Sequence, residues 1–298
     1  MKQRTITAII MLIVLIPFFL IGGWAFNGLA AVLAYFGTYE LINMHQKQNK
    51  QLPNICKFTL PVFSVLLVLI SGLQEINDII YVFFLEVIFL LIMPIFNKSI
   101  KMTDIMFFIF AIIYSGLSFV IISFIRNLTS TTYSVVLFNK IDIYGLGLIC
   151  VSFILVTTML TDVFAYIFGI KFGKHKLCPT ISPKKSVEGA IAGTVFGSLI
   201  GTVILVLLVK WLGSFPESNS YTPFYHFGLD YIVVFVIAIV ISIAGQLGDL
   251  VASKIKREYG IKDYGNLFPG HGGVLDRFDS SIFSCLVFFV ILMILGVI

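Results

Sequence analysis

Long apolar stretches recur nine times along the sequence and leave little room for a soluble fold. They lie near residues 6–21, 24–44, 58–73, 79–96, 105–125, 144–168, 190–211, 231–250 and 280–298. A bilayer core of about 30 Å takes roughly 20 apolar residues as a helix, whereas the strands of an outer-membrane barrel are shorter and alternate in polarity. The pattern therefore predicts an all-α, polytopic membrane helix bundle with about nine transmembrane helices.

The composition supports an integral membrane protein. Charged residues make up 12% of the chain and hydrophobic residues 59%, with a mean hydropathy of +1.04, whereas about 25% of the residues in a soluble domain are charged. The first two apolar stretches almost merge at Gly22-Gly23. A single helix from residue 6 to residue 43 would be about 57 Å long, nearly twice the hydrocarbon thickness. We therefore expect two crossings that are joined by a tight turn.

The positions of the basic residues predict the orientation. If the N-terminus is cytoplasmic and nine helices cross, only Arg126, Lys140 and Lys210 of the 20 lysines and arginines lie on the outer side. A bias of this size agrees with the positive-inside rule. We therefore expect a cytoplasmic N-terminus and an external C-terminus.

The two halves of the chain differ in character. Residues 1–143 have short loops and few polar groups within the apolar stretches, so we predict an N-terminal transmembrane scaffold of about five helices. Residues 144–298 contain two large cytoplasmic loops, 169–189 and 251–277, which together hold half of all the basic residues. We predict that this second half is catalytic.

Acidic side chains in or beside the membrane are candidates for chemistry, because burying a carboxylate costs several kcal/mol unless it meets a cation or a metal. Asp162 lies deep in the sixth stretch, where it either has a functional role or pairs with another helix. Asp249 closes the eighth stretch and alone fits an interfacial charge; Asp276 and Asp279 begin the ninth, on one helical face. Three carboxylates from both ends of one loop need a counter-charge, and oxygen ligands favour Mg²⁺.

Glycines and lysines in the two cytoplasmic loops suit the binding of phosphate. Gly272 and Gly273 let the backbone approach a ligand closely and expose N–H groups to it. The preceding His271 is either a further donor or a structural hydrogen bonder. The earlier loop places the paired lysines Lys184 and Lys185 just before the seventh stretch, which fits either phosphate binding or a topological anchor.

The segment 253–279 reads Ser-x-apolar-Lys-Arg, then Lys-Asp, then His-Gly-Gly-apolar-x-Asp-Arg-apolar-Asp. It resembles, position for position, the signature of the phosphatidate cytidylyltransferases, the CDP-diacylglycerol synthases. The matching residues are Ser253, Lys256, Arg257, Lys262, Asp263, His271, Gly272, Gly273, Asp276, Arg277 and Asp279. The Ser-Pro-Lys-Lys-Ser-x-Glu-Gly stretch at 182–189 and Asp162 also look like family features, whereas the N-terminal half resembles the family only in its hydrophobic pattern.

The resemblance implies transfer of CMP from CTP to phosphatidate, which yields CDP-diacylglycerol and pyrophosphate in phospholipid biosynthesis and requires Mg²⁺. We expect Asp249 and Asp276, together with Asp279, to hold one or two metal ions. Catalysis would also need Lys256 and Arg257 to clamp the phosphates. The residues expected to bind substrate are Ser182, Lys184, Lys185, Glu188, Ser253, Lys262, His271, Gly272, Gly273, Arg277 and Asp162.

The expected substrates also predict where the protein acts. CTP is soluble and cytosolic, whereas the phosphatidate headgroup lies at the membrane surface with its tails in the lipid bilayer. We therefore expect a multi-pass membrane protein with its active site on the cytoplasmic side. Its compact polytopic layout favours the plasma membrane, with the endoplasmic reticulum as the alternative. We further expect a homodimer and no nucleic-acid partner.

Two other functions compete with this prediction. A CDP-alcohol phosphotransferase would also use clustered aspartates and Mg²⁺, but the sequence lacks the Asp-Gly…Ala-Arg…Gly…Asp…Asp spacing of that family. A transporter could use Asp162 and Asp249 as ligands of a coupling ion, but no paired repeats with broken helices are evident.

Overall fold

The computed structural model describes residues 2–49, 52–73, 76–128, 145–212 and 229–295, and nearly all of them are helical. The elements in chain order are α1 (Lys2–Ile21), α2 (Gly23–Gln48), α3 (Cys56–Thr59), α4 (Pro61–Ser71), α5 (Ile76–Phe96), α6 (Met102–Ala111), a π-helical segment (Ile112–Leu117), α7 (Ser118–Arg126), α8 (Leu146–Phe172), β1 (Lys176–Cys178), β2 (Ser182–Ser186), α9 (Val187–Leu212), α10 (Leu229–Glu258) and α11 (Leu275–Ile294). The predicted all-α membrane bundle is confirmed.

Seven helical spans within the described ranges are long and apolar enough to cross a membrane. Two shorter apolar helical segments, Thr5–Ile21 and Cys56–Ser71, correspond to the first and third apolar stretches of the sequence. The count of nine crossings and the cytoplasmic N-terminus stay predictions.

The break between α1 and α2 falls where the sequence predicts a turn. Gly22 and Gly23 both have positive φ angles, 69° and 54°. Side chains with a Cβ rarely adopt this left-handed region, so the glycine pair ends one helix and starts the next. The length of the apolar run and the glycine backbone therefore both account for a break between the helices at this point.

The described chain packs as two compact units. Unit 1 consists of Met1–Phe124 and Ile255–Phe278, and unit 2 of Ile125–Lys254 and Asp279–Ile298. The segment 255–278, which carries much of the signature, thus packs with the N-terminal helices. The predicted functional division into 1–143 and 144–298 stays a prediction, and its boundary lies outside the described residues.

Unit 1 is built around α2, which packs against α4 and the π-helical segment. Small and hydroxyl side chains allow this close approach: the Thr38 and Ser64 hydroxyls hydrogen-bond at 2.7 Å, and Gly116 leaves no room for a Cβ beside Ser64. Leu41, Leu67 and other apolar side chains fill the core around them. This packing holds α2 in place within unit 1.

Unit 2 is dominated by the antiparallel pair α8 and α9, connected by the β1–β2 hairpin. Glycines at every fourth position of α9, at 193, 197 and 201, lie against α8. A Cβ at any of these positions would overlap Thr157, Thr161 or Ala165. This is the small-xxx-small packing that lets membrane helices approach closely, and it holds α8 beside the start of α9, next to the hairpin.

Candidate active site

Asp276 lies in the first turn of α11 and is almost fully buried. Its Oδ2 accepts hydrogen bonds from the backbone N–H groups of Tyr264, at 2.8 Å, and Gly273, at 3.0 Å. Its Oδ1 accepts one from Lys256 Nζ at 2.9 Å. Since a carboxylate offers about four lone-pair sites, these three donors leave room for one more partner.

The loop before α11 folds back on Asp276. Phe268 donates its N–H to the Gly272 carbonyl at 2.9 Å, and His271 donates its N–H to the Phe268 carbonyl at 2.8 Å. Gly272 has a φ of +85°, and a Cβ there would lie 2.7 Å from Asp276 Oδ2. The glycines predicted to approach phosphate thus also approach Asp276, and the Gly273 N–H is already used by that carboxylate.

The His271 ring has a nitrogen that is available for a ligand. Its Nδ1 is buried and, within the described ranges, has no hydrogen-bond partner. A buried polar atom without a partner is costly in a folded protein and is often explained by a missing water, ion or ligand. The sequence left open whether His271 is a phosphate donor or a structural hydrogen bonder, and its binding role stays a prediction.

Exposed cations cluster in sequence around this carboxylate. Arg257, Lys262 and Arg277 are all exposed. At the end of α10, Gly260 adopts a φ of +66°, and the Ile261 N–H caps the Lys256 carbonyl at 2.9 Å. This glycine cap stops the helix directly after its basic residues, so that their side chains project from a helix end.

Glu40 of α2 is the residue that the sequence analysis missed. It is 4% exposed, and its two oxygens accept the N–H groups of Val274 at 2.8 Å and Leu275 at 3.1 Å. The rule that singled out Asp162, an ionisable side chain within an apolar stretch, would also have selected Glu40. No signal in the sequence pointed to its partners.

Unit 2 contains a second cluster of predicted site residues. Lys185 Nζ, from β2, lies 2.5 Å from Asp249 Oδ2 of α10, and Ser253 Oγ donates to Asp249 Oδ1 at 3.3 Å. Asp162 of α8 accepts a hydrogen bond from Ser280 Oγ at 3.4 Å and interacts electrostatically with both Asp249 and Lys185. Lys185 thus pairs directly with Asp249, whereas Asp162 is bonded to a hydroxyl group.

The β1–β2 hairpin is held by Glu188 in the first turn of α9. Its carboxylate accepts the backbone N–H groups of Lys174 and His175, and its Oε1 lies 2.6 Å from His175 Nδ1. Glu188 therefore fixes the base of the hairpin, while Lys184 on β2 remains exposed. Ser182 pairs through its backbone with Cys178 at the turn end.

The described residues include no group of three or more His, Cys, Asp and Glu side chains that is arranged to hold a metal ion. Asp279 accepts the N–H of Ser280 at 2.9 Å. The carboxylate oxygens of Asp249 and Asp276 are of the ligand type that Mg²⁺ prefers. In this structure, however, each of the two carboxylates already pairs with a lysine. The Mg²⁺ ligand set of Asp249, Asp276 and Asp279 therefore stays a prediction.

Comparison with known proteins identifies relatives along the whole chain. Residues 2–295 match the cytidylyltransferase family. A phosphatidate cytidylyltransferase of Staphylococcus saprophyticus is 34% identical over 285 residues, which cover 95% of both chains. Proteins of the same name from Staphylococcus haemolyticus and Staphylococcus aureus are each 33% identical, also over 95% of both chains.

Proposed function

This chain belongs to the cytidylyltransferase family, and on that premise we propose that it is a phosphatidate cytidylyltransferase that transfers CMP from CTP to phosphatidate. A phosphate oxygen of phosphatidate attacks the α-phosphorus of CTP, the bond from that phosphorus to the β-phosphate oxygen breaks, and pyrophosphate leaves. The observation that carries the proposal is the 34% identity to an enzyme of this name over 95% of both chains. The same observation weakens the transporter and CDP-alcohol phosphotransferase alternatives.

Charge is the main problem of this reaction, because two polyanions must meet. No general base is required, since a phosphate monoester is already ionised at neutral pH. The exposed cations Arg257, Lys262 and Arg277 supply flexible positive charge, and guanidinium groups can bind phosphate with two parallel hydrogen bonds. Lys184, exposed on β2, is available in the same way.

Two buried or half-buried lysines have a different role in this proposal. Lys256 and Lys185 neutralise Asp276 and Asp249 in the structure described here. When phosphate groups arrive, each ammonium can turn from its carboxylate to a phosphate oxygen, which frees a carboxylate oxygen. A lysine suits this exchange because its charge sits on a long, flexible stem with three rotatable donors.

Mg²⁺ would be held by Asp249 and Asp276, with Asp279, and when bound it would neutralise the charge that builds on the pyrophosphate leaving group. The support for this assignment is chemical: the described donors leave Asp276 one lone-pair site, and Asp162 adds a second carboxylate to the electrostatic surroundings of Asp249. His271 Nδ1 offers one more donor or acceptor for a phosphate or a metal-bound water.

We place the active site at the cytoplasmic face of the plasma membrane, where soluble CTP meets the phosphatidate headgroup. The support is the basic character of the two loops and the seven described helical spans that are long and apolar enough to cross a membrane. The cytoplasmic position of the loop can be tested with a cysteine introduced at Lys262. A membrane-impermeant maleimide should label this cysteine in opened cells and not in intact cells. Chemical cross-linking in native membranes tests the homodimer.

The decisive assay uses purified protein, radiolabelled CTP and phosphatidate in mixed micelles, with and without Mg²⁺. We expect Mg²⁺-dependent formation of CDP-diacylglycerol together with pyrophosphate. Replacing Asp276 with asparagine should reduce kcat by at least about 100-fold, because a metal ligand is worth several kcal/mol in the transition state. Asp78→Asn, in the first turn of α5 and outside both clusters, is the matched control. Near-normal Mg²⁺-dependent turnover in Asp276→Asn would refute the metal assignment.

A further inference from the structure

The N-terminal helices hold the signature segment at several points within unit 1. The Thr7 hydroxyl donates to the Pro269 carbonyl at 3.0 Å, and Phe119 packs edge-on against Phe278. His45 Nδ1 lies 3.0 Å from the Tyr259 hydroxyl. The hydrogen bonds of Glu40 to residues 274 and 275 lie nearer in sequence to Asp276 than these three contacts do.

Glu40 supplies a helix cap that the local sequence lacks. The first N–H groups of α11 have no partner within the helix and need acceptors. A side chain at the N-cap position, Val274, would serve only the N–H groups of residues 276 and 277, so those of Val274 and Leu275 need an acceptor from outside the helix. The Glu40 carboxylate, reaching across from α2, accepts the N–H groups of both Val274 and Leu275. In its ionised form this carboxylate also suits the positive end of the helix dipole.

Two glycines of the loop, Gly265 and Gly273, lie so close to this carboxylate that a side chain would not fit at either position. A Cβ at Gly265 would lie 2.5 Å from Glu40 Oε1, and a Cβ at Gly273 would overlap the same carboxylate. The Gly273 N–H donates to Asp276 Oδ2 on the other side. One short stretch of backbone is therefore fixed between Glu40 and Asp276, so a displacement of the first carboxylate is transmitted to the second.

We propose that Glu40 is a positioning residue for CMP transfer, which sets the place of the Asp276 carboxylate by capping α11 and supporting the loop before it. The inference rests on the proposed function for its effect on turnover. Its structural part, the hold on residues 264–276, does not depend on that function. Glu40→Gln keeps one carbonyl acceptor but turns an NH₂ group toward a backbone N–H, so one of the two caps is lost.

The first measurement is hydrogen exchange of the loop amides, made without nucleotide or metal. We expect the amides of residues 273–275 to exchange at least about tenfold faster in Glu40→Gln than in the wild type. The matched control is Glu86→Gln, another buried glutamate of unit 1, which lies on α5 and whose oxygens have no hydrogen-bond partner among the described residues. Glu86→Gln should leave loop exchange unchanged.

The second measurement is turnover per folded enzyme as a function of Mg²⁺ and CTP. We expect Glu40→Gln to lower kcat by about 10- to 100-fold, the usual effect of losing a residue that orients a metal ligand, and to raise the half-saturating Mg²⁺ concentration. A role in folding alone would change the amount of folded protein and leave that concentration unchanged. Glu86→Gln should match the wild type in both quantities.

A second route to the same contact avoids removing the carboxylate. Gly265→Ala pushes a methyl group against Glu40 from the loop side, whereas Glu40→Asp withdraws the carboxylate by one methylene. We expect each single variant to lower kcat and the double variant to lose less than the two losses combined, because the shorter side chain makes room for the methyl group. This test works even if Glu40→Gln does not fold.

The outcomes separate the two proposals. A wild type without CMP transfer overturns the proposed function itself. A wild type that is active, with Glu40→Gln equal to it in loop exchange or in both kcat and half-saturating Mg²⁺, overturns only the role of Glu40. Strict additivity of Gly265→Ala and Glu40→Asp overturns it as well.

Discussion

Replacing Lys256 with methionine tests the buried ion pair at the centre of the unit 1 cluster. The side chains of Lys256 and Asp276 are 12% and 3% exposed, and Nζ lies 2.9 Å from Oδ1. Methionine keeps much of the length and apolar volume of the lysine stem and removes the charge. Among the described residues, Asp276 then keeps two backbone N–H donors, from Tyr264 and Gly273.

The expected loss in the free energy of unfolding depends on the hydrogen-bond donors that the Asp276 carboxylate retains. Removing one partner of a buried ion pair typically destabilises a protein by about 3–5 kcal/mol. Because two N–H donors still stabilise the Asp276 carboxylate, we expect the lower end, about 3 kcal/mol. In Asp276→Asn the stranded ammonium can partly reach water through its flexible stem, so we expect about 2 kcal/mol.

The double variant Lys256→Met/Asp276→Asn decides whether the pair is coupled. The asparagine carbonyl can still accept the two N–H groups and no charge is stranded, so the double variant should cost no more than about 3 kcal/mol rather than the sum of about 5. The assay is a titration of micelle-bound protein with dodecyl sulfate, followed by circular dichroism. Lys171→Met, exposed in the last turn of α8, is the control and should change the free energy of unfolding by less than about 0.5 kcal/mol. Costs that add to within about 0.5 kcal/mol would refute the coupling.

Two further predictions concern unit 2. Gly197→Ala should destabilise the α8–α9 pair by about 1–3 kcal/mol in the same titration, because its methyl group would overlap Thr161. Gly28→Ala is its control, since nothing lies within 4 Å of a Cβ there, and equal effects would contradict the packing argument. Lys185→Met should lower kcat/KM for CTP by about 10- to 100-fold, the value of a charge-assisted hydrogen bond to phosphate, with unchanged helix content. If kcat/KM for CTP in Lys185→Met equals that of Lys171→Met, Lys185 does not bind the nucleotide.

Local features of the fold could be predicted from the sequence because they depend on neighbouring residues. Gly22-Gly23 follows an apolar run too long to continue, and its left-handed backbone gives the predicted break. The α9 glycines also form a four-residue repeat in the sequence, at 193, 197 and 201, but we made no prediction from it. Their partner helix was not visible, because glycine spacing shows that a helix packs closely without showing which helix it packs against.

The candidate site was predictable to the extent that its residues are polar in an apolar context. Asp162 and Asp249 were selected on that ground, and the structure brings both together with Lys185. The sequence did not predict a lysine partner for either carboxylate, and Lys184 and Lys185 are equivalent in the pattern. On the β2 strand adjacent side chains point to opposite faces, which is why Lys185 reaches Asp249 and Lys184 is exposed.

Glu40 escaped prediction for a physical reason. A polar residue at the N-cap position normally indicates where a helix begins, but α11 has Val274 there. The acceptor for the Val274 N–H is Glu40, which lies 234 positions away in the chain. The residues around α11 give no indication of this distant acceptor. A Ser or Asp at position 274 would accept the N–H groups of residues 276 and 277, not those of Val274 and Leu275, so Glu40→Gln should cost as much stability in that background as in the natural chain.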